Sequence, residues 1–137
     1  MTSNTLPYPG LARAWLSFIR PKTWGVAIAP VIASLALVYI ENLSFSLSVA
    51  IPTLTLALLM QIITNMENDL GYTERKAEKS NRKGLPRATS NGWISIAQAK
   101  FAIRATMVLS LLNTLLLVYV GGWGFLLIGV SLSLIHI

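Results

Sequence analysis

A chain of 137 residues with 54% hydrophobic and only 12% charged residues, and a mean hydropathy of +0.63, is too apolar for a water-soluble domain. Eleven Lys and Arg against five Asp and Glu give a formal net charge of +6, and the absence of cysteine excludes disulfide frameworks and thiolate metal sites. What remains is a basic integral membrane protein: a single membrane domain over residues 1–137, all-α, built as a multi-pass transmembrane helical bundle.

In chain order, Met1 to Arg20 is too polar for a cleaved signal and reads as an amphipathic segment ahead of a retained span. Apolar runs then predict spans at approximately 22–40, 45–66, 101–120 and 123–137. At about 1.5 Å per residue the second and third can cross a hydrocarbon core of about 30 Å, and the first can if Lys22 and Thr23 snorkel. The fourth stops mid-span at Ile137 without a polar flank, so a truncated chain is expected: three complete spans and part of a fourth. Pro30 and Pro52 are expected to kink their helices, and Asn113 to bridge helices. Trp15, Trp24, Trp93, Tyr119 and Trp123 suit the membrane interfaces, while His136 stands alone near the end with no expected role.

The basic residues lie on one side. Arg13, Arg20 and Lys22 precede the first span, and Arg75, Lys76, Lys79, Arg82, Lys83, Arg87, Lys100 and Arg104 fall between the second and third. The two other connections have none, so the amino terminus and a loop over about 70–98 are expected in the cytoplasm of a bacterial inner membrane. Attraction to anionic headgroups accounts for Arg13, Arg20, Lys22, Lys100 and Arg104. That placement makes the bilayer the partner of the charge, and no nucleic acid is expected. The loop exceeds a connector and holds Gly84-Leu-Pro-Arg87 and Asn91-Gly-Trp-Ile, which suits a lid.

Polar residues then mark a candidate site. Gln61, Asn65, Asn68 and Asp69 fall on one face of the second span at about 100° per residue, and polar groups in a membrane helix either form a site or bind helices together. Two amides and a carboxylate can meet a hard cation such as magnesium, which takes few protein carboxylates and leaves positions to water and phosphate. Lys79, Arg82, Lys83 and Arg87 supply fixed positive charge for phosphate oxygens. An anionic diphosphate at the mouth of an apolar bundle, its tail between helices, suits both features.

These residues also carry a resemblance. Asn65-Met-Glu-Asn68-Asp69 resembles the first aspartate-rich motif of the UbiA superfamily of intramembrane prenyltransferases. Arg20-Pro-Lys-Thr23, Asn81-Arg82-Lys-Gly84-Leu-Pro-Arg87 and Gly92-Trp-Ile-Ser are similar to segments of its menaquinone-pathway branch, the 1,4-dihydroxy-2-naphthoate prenyltransferases. The likeness runs in order from Ala12 onward. It implies a nine-helix bundle in which two aspartate-rich motifs bind Mg2+ and a polyprenyl diphosphate, whose prenyl group passes to an aromatic acceptor. By position, Asn65 and Asp69 would be catalytic metal ligands, and Asn68, Lys79, Arg82 and Arg87 would contact the diphosphate. Two departures stand out: Tyr72 occupies a position that is acidic in the motif, leaving Glu74 or Glu78 to compensate, and no second motif follows. This polypeptide by itself is therefore not expected to catalyse transfer. Two other classes compete: a non-enzymatic membrane protein whose basic loop binds lipid or a partner, and a transporter fragment, which polar groups confined to one end of one span disfavour.

Overall fold

The computed structural model describes residues 6–41, 43–76, 86–127 and 130. Among them every regular element is helical: α1 (Leu11–Ile19), α2 (Trp24–Ile40), α3 (Leu47–Glu74) and α4 (Ile96–Gly121). A 3-10 turn, Pro21–Thr23, joins α1 to α2. Three stretches are long and apolar enough to cross a membrane: Leu11–Ile40, Leu47–Glu74 and Ile96–Gly121. The fourth apolar run falls largely outside the described residues, as does His136.

The break between α1 and α2 follows from Arg20-Pro21. A proline disfavours helical geometry in the residue before it, and Arg20 adopts the left-handed conformation, with φ 53° and ψ 67°. Its amide still donates to the Leu16 carbonyl at 3.0 Å and closes α1. The Trp24 indole donates to the Ile19 carbonyl at 3.2 Å, which fixes how α2 leaves the turn. α2 is apolar all round and has no buried residue, as suits a lipid-facing helix.

α3 and α4 run past the apolar stretches that predict them. α3 has 28 residues and is about 42 Å long, against a hydrocarbon core of about 30 Å, so its last turns reach into the interfacial layer. The helix thus continues to Glu74, where the sequence suggests a loop from about Leu70. At its other end the connection closes at Ile96, because Ser95 and Gln98 form a reciprocal capping box with bonds of 3.2 and 3.0 Å.

The core sits at the basic end of the bundle. Phe18 and Ala14 of α1 pack against Met66 and Leu70 of α3, Ile103 and Ala99 of α4, and Ala88 and Ile94 of the connection. Three bonds tie the amino-terminal segment to that connection: Ser17 Oγ to the Pro86 carbonyl at 2.7 Å, the Leu6 amide to Asn91 Oδ1 at 3.0 Å, and Trp93 Nε1 to the Leu6 carbonyl at 3.2 Å. Elsewhere the helices expose Leu, Ile and Val in numbers that water would not tolerate.

One polar contact pins α3 to α4 deep in the apolar region: Asn113 Nδ2 donates to the Pro52 carbonyl at 2.8 Å. Interhelical bonds of this kind contribute about 0.5–2 kcal/mol. Asn113→Leu is expected to lower stability by about that amount in a detergent unfolding titration, and Asn113→Gln by less.

Candidate functional site

The site is built around a carboxylate with no access to solvent. Asp69, one turn before the end of α3, is 0% exposed. Burying a charge in such a setting is costly unless partners surround it, and three hydrogen-bond donors and one cation do. The Ala88 amide donates to Oδ2 at 3.1 Å, the Thr89 amide to Oδ1 at 3.0 Å, and the Thr89 hydroxyl also to Oδ1. The Arg20 guanidinium lies 3.6 Å from Oδ2. The donating amides are nineteen and twenty residues from Asp69 along the chain.

The turn that presents those amides is made locally. The Trp93 amide donates to the Ala88 carbonyl at 2.9 Å, and the Gly92 amide to that of Thr89 at 3.0 Å. Gly92 takes φ +71°, which a side chain would strain. The Thr73 hydroxyl lies 2.7 Å from that of Thr89 and 2.8 Å from that of Ser90, extending the network one helical turn along α3.

Asn65, one turn earlier, caps the α1–α2 break. Its Nδ2 donates to the Ile19 carbonyl at 3.0 Å and to Thr23 Oγ1 at 2.8 Å, while Gln61 Nε2 lies 3.4 Å from its Oδ1. Gln61, Asn65 and Asp69 thus join segments of the chain. Asn68 differs: it is exposed on the same helix.

Arg87 is buried at 7% exposure, and its guanidinium carbon lies 3.4 Å from the centre of the Tyr72 ring. Tyr72, the departure from the acidic pattern, therefore meets a cation through its ring face. Lys79, Arg82 and Glu78 lie outside the described residues. Glu74 pairs with Lys100 at 2.7 Å, so its carboxylate serves a surface bridge and does not substitute for an acid at Tyr72.

A metal fits this arrangement poorly. Among the described residues no three His, Cys, Asp or Glu cluster as a metal shell would require. Both Asp69 oxygens accept hydrogen bonds, while Asn65 Oδ1, the atom a cation would use, meets Gln61 Nε2 at 3.4 Å. A cation on Asp69 would have to displace those donors.

Sequence reasoning missed Arg20, which reads as a headgroup contact yet reaches Asp69 with a side chain only 15% exposed. It also missed Thr73, Thr89 and the Tyr72–Arg87 stack. Arg20-Pro21 was a legible signal of a break. Nothing local marks Thr89 as a partner of a carboxylate twenty residues away.

An apolar three-span bundle with a buried, arginine-flanked carboxylate at its basic end defines an integral membrane protein of the polytopic helical class. No family model and no solved structure matches the chain. Two curated bacterial proteins do, both named 1,4-dihydroxy-2-naphthoate octaprenyltransferase. The one from Escherichia coli is 36% identical over 129 residues, covering 90% of this chain and 41% of that protein. The one from Haemophilus influenzae is 28% identical over 102 residues, covering 74% and 33%. The chain thus spans about two fifths of the first relative and a third of the second. It belongs to the UbiA superfamily of prenyltransferases, close to the 1,4-dihydroxy-2-naphthoate branch.

The stack carries the prediction here. Tyr72→Phe keeps the ring face and is expected to leave thermal stability in detergent unchanged. Tyr72→Ala is expected to cost about 0.5–2 kcal/mol, measured by the shift in unfolding midpoint.

Proposed function

We propose that this chain forms the diphosphate-binding part of an intramembrane prenyltransferase that moves a polyprenyl group from its diphosphate to an aromatic acceptor, 1,4-dihydroxy-2-naphthoate, in menaquinone biosynthesis. The observation that carries this reading is the match over 90% of the chain to a protein named for that reaction. Support from the site is the gathering of Arg20 and Arg87 about the end of α3, where Lys79 and Arg82 follow in the adjoining segment.

In this reading the allylic C–O bond breaks, its electron pair leaves on the diphosphate, the aromatic ring attacks the allylic carbon, and the acceptor's carboxylate departs as CO2, its bonding pair restoring the aromatic ring. The chain's contribution is electrostatic: fixed guanidinium groups meet charge as it develops on the leaving diphosphate. Asn68, Lys79, Arg82 and Arg87 are its proposed contacts, with the prenyl tail between helices. Mg2+, when bound, would add positive charge to the leaving group. It enters the proposal as an ion carried on the diphosphate, because the carboxylate oxygens of Asp69 are engaged as described. The positive-inside bias supports a cytoplasmic placement for the amino terminus and the basic connection in a bacterial inner membrane. The regions that the relatives have beyond the matched stretch are proposed to complete the cavity.

The test is a chimera in which this chain replaces the aligned segment of the Escherichia coli relative, assayed for prenyl transfer to 1,4-dihydroxy-2-naphthoate. Arg87→Ala is expected to lower kcat/KM at least about tenfold, as loss of a charged contact to phosphate should. Asp69→Ala is expected to abolish turnover. Glu67→Ala, roughly 160° from Asp69 around the helix, is expected to stay within about twofold. An inactive parent chimera, or equal losses at Glu67 and Asp69, would count against the reading.

A further inference from the structure

We infer that Asp69 is a positioning residue, a latch that holds the Arg87-bearing turn and Arg20 against the end of α3, and is not a metal ligand. The catalytic consequence rests on the diphosphate reading above; the latch itself does not. Three observations carry it. The carboxylate is 0% exposed, so a hydrated cation has no path to it in this arrangement. Its oxygens accept from two backbone amides and a hydroxyl, and a carboxylate so engaged offers a metal little without losing those bonds. Its partners are also the residues whose placement matters: Ala88 and Thr89 follow Arg87 directly, and Arg20 is the residue at which the chain turns from α1 into α2.

The latch explains features that a metal site leaves unconnected. Arg20 sits at φ 53°, a conformation of modest cost for a non-glycine residue, and Asp69 gives that placement a charge partner. The turn over Ala88 to Trp93 has its own backbone bonds but no regular element to hold it. Asp69 and Thr73, one helical turn apart on α3, grip it at Ala88, Thr89 and Ser90. With Asp69 in place, Arg87 is set over Tyr72 before any ligand arrives. Site electrostatics work best when fixed in advance, and a carboxylate that orients two guanidinium groups does so without meeting the diphosphate itself.

Hydrogen exchange of the chain in detergent micelles, read by mass spectrometry, tests this without any turnover. Asp69→Asn keeps the size of the side chain but turns an amide NH2 toward one set of donors. It is expected to speed exchange of the Ala88 and Thr89 amides about ten- to a hundredfold, with α4 amides unchanged. Thr89→Val should speed exchange at Ala88 severalfold, and Thr89→Ser should not. Millimolar magnesium should leave wild-type exchange at these amides unaltered. Unchanged exchange in Asp69→Asn overturns the latch. So does magnesium-induced loss of protection at Ala88 and Thr89, which would mean that the carboxylate leaves its donors for the metal. If Asp69→Asn fails to fold, Thr89→Val decides, and wild-type exchange there would equally overturn the latch. A fluorescent prenyl diphosphate analogue, titrated into the chimera described above and its Asp69→Asn variant, separates the two readings. Weaker binding in Asp69→Asn, at an unchanged magnesium half-saturation, is expected; an analogue that binds neither protein defeats the diphosphate reading and leaves the exchange result standing.

Discussion

A buried carboxylate at the end of an otherwise apolar helix is the constraint on which the rest of this structure depends. A carboxylate is costly there without polar partners, and α3 cannot supply them, since its own amides are committed to the helix. The donors must come from elsewhere in the chain. They come from the connection that follows, through Ala88 and Thr89, and from the bend that precedes α2, through Arg20. Satisfying one charge therefore folds two segments onto α3, and removing a single partner would leave a buried charge short of donors.

That requirement also explains why the buried apolar core sits at one end. Phe18, Met66, Ile94 and Ile103 come together where α1 and the connection cover α3 and α4, the same end at which the polar network closes. Away from it α3 and α4 also bury Ala50, Leu56, Ser110 and Leu117 and share the Asn113–Pro52 bond, while their outer apolar faces stay open. Lipid is as apolar as those side chains, so a membrane helix gains little from burying them. The polar network closes at the end where water and charge intrude.

The sequence made the helical class and the three membrane-length stretches legible, because hydropathy is a local signal. It marked Asp69 and Asn65 as unusual for the same reason. Their partners were not legible, since Thr89 and Thr23 look like ordinary threonines and the separations are 20 and 42 residues. Helix ends were blurred too. α3 runs on to Glu74 because a helix that leaves the hydrocarbon has no reason to stop at its edge, and the capping box at Ser95 starts α4 ahead of the apolar run at Phe101. The two readings of the polar stripe, site or helix glue, divide along its length. Gln61, Asn65 and Asp69 bind segments together, and Asn68 alone of the four is exposed.

Tyr72 is the residue at which family pattern and physical arrangement part most clearly. A carboxylate at that point would meet Arg87 with a localised negative charge and would draw on its N–H groups. A ring meets the flat face of the guanidinium instead, at 3.4 Å, and holds it by its quadrupole, a contact that uses none of the in-plane N–H donors. The tyrosine thus orients the guanidinium without adding a negative charge of its own. At this position the chain therefore carries an aromatic ring packed on a buried arginine where the motif it resembles carries an acid.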